Sequence, residues 1–325
     1  MSRRKINFEV DPGSDDAVAL IAAVRSCAVQ ILGISTVFGS VPVEVTTQHT
    51  LQILDLLDMR IPVYSGCHEG LARRIYDGGE PVGAGANRRT EADGTVVGFH
   101  EVFDLPACRR NPEVKNGVTF LRETLRDTKE KVTIVATGAL TNLACAWLLD
   151  PDSFQNVEEL VVMGGGIQLT NKTAAAEGNF LRDPEAARLI LDSGINVTLL
   201  TLDATHSAPL CVSDLAQLDT LNNPLAHFTA GVVRTRMRAY RELQSLGGED
   251  QAILHDLACV LYLLDQELVM EGRHYRATVS LDYGETAGAL VVDRRADARD
   301  QGALYAVTRL DRERFVDDLV ALLRC

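Results

Sequence analysis

Within six residues, Asp11-Pro12-Gly13-Ser14-Asp15-Asp16, the chain places three carboxylates. Ionised groups crowded so closely repel one another, and the usual resolution is a shared hard cation bound by oxygen ligands. The plainer alternative makes Ser14 a helix N-cap, with Asp15 and Asp16 complementing the helix dipole. That alternative leaves Asp11, one short turn away, adding repulsion without compensation.

The flanking elements say where this turn sits. Ile6, Phe8 and Val10 fall at alternate positions of a strand, and Ala17 to Ala23 is a helix-favouring run. The turn is therefore the carboxyl end of a strand, where open α/β sheets place their ligands.

Other polar groups fall at similar places. Thr137-Gly138-Ala139-Leu140-Thr141-Asn142 turns a strand into a helix; capping by Thr141 or Asn142 is the plain account of it. Gly164-Gly165-Gly166 follows Met163 but lacks both GxGxxG spacing and a P-loop Lys, which argues against a nucleotide phosphate cradle. Asn171, Glu177 and Asn179 mix a carboxylate acceptor with amides that donate and accept, the combination a sugar requires. His255-Asp256 opens a helix that is apolar on nearly every face; the pair is either a core histidine with a cap or acid chemistry near neutral pH.

Apolar β-type runs alternate with helical patterns along the chain: Val29–Val37, then a helix over 43–59, Ile61–Tyr64, a helix over 117–126, Val132–Ala136, Leu160–Met163 and Ile195–Leu200. This predicts an α/β fold with a mostly parallel central sheet flanked by helices. A C-terminal helical section over about 213–267 is expected to lie over the strand ends. The stretch 66–111, rich in Gly and charge, is expected to be loop. No linker or repeat divides residues 1–325, so a single domain is expected.

Composition narrows the class. With 32 basic against 45 acidic residues the net charge is −13, which disfavours a nucleic-acid partner or an anionic membrane. Seven scattered cysteines without a CxxC pair read as reduced thiols, no run approaches a membrane span, and a cytoplasmic location is expected.

Taken together in order, these segments resemble the inosine-uridine-preferring nucleoside hydrolase family. Its DxDPGxDDA signature is matched by Glu9 to Ala17, its TGPLTN segment by Thr137 to Asn142, and its MGG by Met163-Gly164-Gly165. Its AEFNxxxDPEAA block is matched by Ala176 to Ala187, and its late HDP-type pair by His255-Asp256-Leu257.

The resemblance implies hydrolysis of the N-glycosidic bond of ribonucleosides to ribose and free base. By analogy, Asp11, Asp16, Asp256 and the Thr137 carbonyl hold Ca²⁺, and Asp11 is general base on a water. Asp15, Asn171, Glu177 and Asn179 bind ribose hydroxyls, Met163 lines the sugar pocket, and His255 serves the base as acid or stacking partner. Arg238, Tyr240 and Arg241 are candidates to help the base leave; a solvated face is the alternative for so Arg-rich a helix. The resemblance also implies a homodimer or homotetramer.

Departures from the pattern fall on the substrate side. Glu9 replaces the usual Asp, and Gly39-Ser40 replaces Gly-Asn, so a ribose contact at Ser40 is lost or runs through water. Gly178 replaces an aromatic, and Val97-Gly98 stands where His-Gly is common, with His100 displaced. Two other classes stay open: a non-catalytic or altered-specificity ribosyl binder of the same fold, and a phosphohydrolase. The latter is disfavoured because no Lys or Arg accompanies the acidic turn in sequence.

Overall fold

In the computed structural model, eight strands form one sheet: β1 (Arg4–Val10), β2 (Val29–Thr36), β3 (Val63–Ser65), β4 (Val132–Ala136), β5 (Val157–Met163), β6 (Val197–Leu200), β7 (Val269–Tyr275) and β8 (Leu304–Leu310). Their order across the sheet is β7-β8-β6-β5-β4-β1-β2-β3, all parallel except β7, which runs antiparallel to β8 at the edge. The structure describes residues 3–72, 75, 88–91, 96–99, 103, 105–108, 110–244, 246, 247, 250–295 and 302–324.

Around the sheet lie α1 (Ser14–Arg25), α2 (Val43–Leu56), α3 (Gly117–Asp127), α4 (Thr141–Leu149), α5 (Gly178–Arg182), α6 (Pro184–Leu191), α7 (Leu202–His206), α8 (Val212–Asp219), α9 (Pro224–Leu243), α10 (Leu257–Leu264) and α11 (Arg312–Arg324). The middle strands are buried on both faces, as expected of a parallel sheet covered by helices. Phe8, Val135 and Val161 point into one core with α1, α10 and α11, whereas Ile134, Leu160 and Val162 point into the other with Leu143, Phe180 and Ile190. Each large apolar side chain so buried contributes ~1.5–3 kcal/mol relative to exposure. In β1, Asn7 and Glu9 are the other half of the alternation, and they too are buried.

Chain order sets the site. From β1 the chain builds outward through β2 and β3, then returns to β4 on the opposite flank of β1 and builds outward again. The connections leaving β1 and β4 therefore diverge, and the crevice between them is the topological switch point where such sheets bind ligands. Asp11 to Asp16 follow β1, and Thr137 follows β4.

Three boundaries differ from the sequence expectation. The third strand is shorter, Val63–Ser65, because Pro62 carries no N–H for the ladder. The helical section is α8, α9 and α10, but the chain then returns to the sheet as β7 and β8 and ends in α11. From the stretch expected to be loop, Arg88–Thr90 and Val96–Gly98 pair as antiparallel strands, while His100 and most of 73–95 lie outside the described residues. Among the described residues no helix is long and apolar enough to cross a membrane.

Candidate active site

Asp15, Asp16 and Asp256 offer carboxylate oxygens that all lie within 4.8 Å of one another, and all three residues are buried. Asp16 Oδ1 accepts from Thr137 Oγ1 at 2.6 Å, which ties the β1 turn to the β4 turn across the switch point. The Asp16 and Asp256 carboxyl groups lie close enough that a proton on one is shared with the other. Burial, then the charge of Asp15, pushes Asp16 up to about 6, and Asp256 is held well above the carboxylate range by burial and its three acidic neighbours.

Asp11 borders this group and is raised well above its ordinary value, by burial first and then by the charge of Asp16. Backbone clamps its carboxyl from two sides. A Cβ at Gly39 would stand 1.8 Å from Asp11 Oδ2, and one at Gly138 would stand 2.6 Å from Oδ1.

The capping alternatives fare differently. Asp16 does accept the Gly13 N–H at 3.4 Å, so it doubles as a helix-start residue. Ser14 does not cap: its hydroxyl donates to the Phe99 carbonyl at 2.7 Å and accepts from Arg236. Asp256 precedes α10 without capping it. Thr141 and Asn142 are also otherwise engaged. Thr141 donates to Asp183 Oδ2, and Asn142 Nδ2 donates to Glu9 Oε2 at 2.9 Å and to the Thr36 carbonyl at 3.0 Å.

On one side of the carboxylates, α9 supplies Arg236 and Tyr240. Arg236 Nη1 donates to Asp15 Oδ1 at 2.9 Å, its Nε donates to the Ile253 carbonyl at 2.7 Å, and its plane lies near the Phe99 and Tyr240 rings. His255 has both ring nitrogens bonded, Nδ1 to Thr205 Oγ1 at 2.7 Å and Nε2 to the Tyr240 hydroxyl at 2.8 Å. Because Thr205 already donates to the Leu202 carbonyl, the bonding pattern assigns the proton to Nδ1 and makes Tyr240 the donor to Nε2. Burial and the charge of Arg236 push His255 well below its usual value, so it is neutral at neutral pH. A cationic imidazole acid, one of the two roles considered for it, does not fit this surrounding.

On the other side lie Ser40, Met163, Asn171, Lys172, Glu177, Asn179 and Arg182. Glu177 caps α5, accepting from the backbone N–H groups of Gly165, Asn179 and Phe180. Asn179 Nδ2 donates to the Thr137 carbonyl at 2.7 Å and the Met163 carbonyl at 3.1 Å, while its Oδ1 accepts from Arg182 Nη1 at 2.9 Å. Asn171 Oδ1 accepts the Gly178 N–H at 3.1 Å. Arg182 also donates to Ser40 Oγ.

Sequence reasoning missed Arg236 and Arg182, and with them the cations beside the acidic turn. Arg238 and Arg241, named as candidates, instead face outward and pair with Glu91, Glu242 and Asp250. The signal was present: Thr229, Val233, Arg236, Met237 and Tyr240 recur at helical spacing and all are buried.

The residues suit a divalent cation. Five carboxylates and three cationic side chains line the cavity, leaving two formal negative charges, which one divalent ion neutralises. Buried oxygen donors with raised proton affinity are the donor set a hard cation takes.

Comparison with known proteins agrees with this geometry. The chain is 32% identical over 317 residues to a pyrimidine-specific ribonucleoside hydrolase, RihA, from Shewanella woodyi, covering 97% of this chain and 96% of that protein. Among solved structures, a purine-preferring ribonucleoside hydrolase from Gardnerella vaginalis superposes with a TM-score of 0.84 at 26% identity, covering 99% and 98% of the two chains. The plant nucleoside hydrolase PpNRh1 gives 0.84 at 25% identity over the whole of both chains. Residues 6–317 match the family model of the inosine-uridine preferring nucleoside hydrolases, and the chain belongs to that family.

Proposed function

We propose that this protein hydrolyses the N-glycosidic bond of ribonucleosides, releasing ribose and free base with Ca²⁺ held by Asp11, Asp16, Asp256 and the Thr137 carbonyl. The observation that carries the proposal is the buried carboxylate group at the switch point, flanked by an Arg-Tyr-His chain on one side and amides on the other.

When bound, the ion supplies Lewis acidity at the ribose diol and lowers the pKa of a water. Asp11, fixed between Gly39 and Gly138, is placed to take a proton from that water. As the C1′–N bond breaks, positive charge develops on the ribosyl ring, and the surrounding carboxylates stabilise it. The base departs with an added electron pair. Arg236 and the Tyr240 hydroxyl, on the base side, stabilise that charge, and His255 acts through Tyr240 as a neutral hydrogen-bond partner. Asp15, Asn171, Glu177, Asn179 and Met163 shape the sugar side, with Ser40 tied to Arg182.

Relatives with opposite base preferences share this fold, so the base is not assigned. The scattered thiols support a cytoplasmic protein, the absence of a dividing linker or repeat supports a single-domain subunit, and the family likeness supports a homodimer or homotetramer, which light scattering would test. The decisive experiment is release of free ribose from a panel of nucleosides, with and without a calcium chelator, beside Asp11→Ala. Chelator-sensitive release that vanishes in the variant is expected. Calcium binding without turnover on any substrate would instead favour a ribosyl binder.

A further inference from the structure

Cys67 and Cys145 are 78 residues apart in the chain, yet the Cys67 thiol donates to Cys145 Sγ at 3.9 Å. Both thiols are free and half-buried, open enough for a small solute to reach. Cys145 stands within α4, one turn after Asn142, and Cys67 follows the end of β3. The stretch that carries Cys67 is stitched to its neighbours. The Cys67 N–H donates to Asn142 Oδ1 at 2.8 Å, and its carbonyl accepts the Phe38 N–H at 3.1 Å. The Gly66 N–H donates to the Thr36 carbonyl at 3.0 Å, and a Cβ on Gly66 would stand only 2.4 Å from that oxygen.

The two sulfurs differ in character. The hydrogen bond from Cys67, against burial and the charge of Asp183, holds the Cys145 thiol down to about 7. The same bond, then burial and the charges of Cys145, Glu9 and Asp183, raises Cys67, which keeps its proton. A thiolate with a protonated thiol against it is the arrangement of a reactive cysteine and its resolving partner.

To bond at the ~2.05 Å of a disulfide, the sulfurs must close by about 1.9 Å. Leu143, Ala144 and Ala146 anchor α4 in the core, so Cys67 is the side that moves. Its carbonyl pulls on the Phe38 N–H, and the next residue, Gly39, packs directly against the Asp11 carboxyl. We infer that Cys67 and Cys145 form a hydroperoxide-sensitive pair whose closure to a disulfide draws on the Phe38 and Gly39 backbone and loosens Asp11.

In the first step Cys145 Sγ attacks one oxygen of hydrogen peroxide. The S–O bond forms, the O–O bond breaks, and the departing hydroxide takes up the proton that Cys145 released, giving water and a sulfenic acid. Cys67 Sγ then attacks that sulfur; the S–S bond forms, the S–O bond breaks, and the hydroxyl leaves with the Cys67 proton as a second water. The thiols are oxidised, the peroxide is reduced, and exchange with a small dithiol restores both thiols. Reversible pairs of this kind are the usual disulfides of a reducing compartment.

Peptide mass mapping of the full chain after hydrogen peroxide is expected to show a link between Cys67 and Cys145, reversed by dithiothreitol and absent in Cys67→Ser and Cys145→Ser. Oxidised wild type is expected to bind Ca²⁺ about tenfold more weakly than reduced, the worth of one hydrogen bond, and to exchange the Phe38 amide hydrogen faster. Cys145→Ser, lacking the attacking sulfur, should keep its affinity after the same treatment. Sulfinic acid at Cys145 without a link, or no oxidation at either thiol, would overturn the pair. A link that leaves calcium affinity unchanged would overturn its coupling to Asp11. The calcium readout rests on the ion binding proposed above, and the link does not. If reduced protein binds no Ca²⁺, that ion binding fails and Phe38 exchange decides: faster exchange on oxidation upholds the coupling, and equal exchange overturns it.

Discussion

Arg236 Nη1 stands 2.9 Å from Asp15 Oδ1, and both side chains are sealed from solvent. Asp15 also accepts the His255 backbone N–H at 3.2 Å, so the ion pair joins α1, α9 and the start of α10 at the centre of the site. Such a pair adds little net stability over an apolar replacement, yet loss of one member strands the other. Arg236→Gln is expected to lower the unfolding free energy by ~3–5 kcal/mol. Urea denaturation of Arg236→Gln, Asp15→Asn and the double variant checks it. Partial recovery in the double variant is the signature of the pair; strictly additive losses would show that the two side chains act independently.

Among the described residues, Tyr240 is the donor to His255 Nε2, and it accepts in turn from Arg236 Nη2 at 3.5 Å. Burial pushes its hydroxyl up to about 12, so it stays protonated and able to donate. Tyr240→Phe keeps the ring packed against Phe99 and removes only the hydroxyl. For natural nucleosides kcat is expected to fall about 10²-fold, the lower range for loss of a proton-handling group. A nitrophenyl riboside, whose leaving group needs no proton, should lose much less. Equal losses on both substrates would mean that Tyr240 shapes the pocket without assisting the base.

Glu9 lies beneath the site and is raised from 4.5 to about 8 by burial, which its bond from Asn142 only partly offsets. Between those values the folded chain keeps a proton that the unfolded chain releases. The stabilisation is complete below about 4.5 and is lost as pH rises through about 8. The full span corresponds to ~5 kcal/mol at most. Glu9→Gln should remove this part of the slope, read as melting temperature from pH 5 to 8.5 in chelator. Parallel profiles for the two proteins would show that Glu9 does not titrate in this window.

How far the sequence alone reveals all this follows from locality. The Asp11–Asp16 turn is legible because β1 and α1 announce themselves in adjacent residues with clear period and composition. The edge strand β7 is not, since Met270, Glu271, Arg273 and His274 are exposed and no apolar alternation marks them; its pairing partners lie 29 to 41 residues away. Arg182 sits inside a matched motif at a position the motif leaves open, so only its reach to Ser40 reveals it. Arg236 was legible in principle, because helical period separates it from Arg234, Arg238 and Arg241.

Gly39 offers a way to test Asp11 without altering its charge. Because a methyl group there would fall 1.8 Å from Asp11 Oδ2, against a side chain already held by Gly138, Gly39→Ala must displace the carboxyl. If Asp11 both binds the ion and activates water, calcium affinity and ribose release should fall together, each by at least tenfold. Gly231→Ala is the matched control. Its added methyl meets nothing within 4 Å on the exposed side of α9, so it should leave calcium affinity unchanged and stabilise the helix by ~1 kcal/mol. Isothermal titration with Ca²⁺ on both variants separates the cases. Unchanged affinity in Gly39→Ala, with activity lost, would take Asp11 out of the ligand set and leave it the role of base alone.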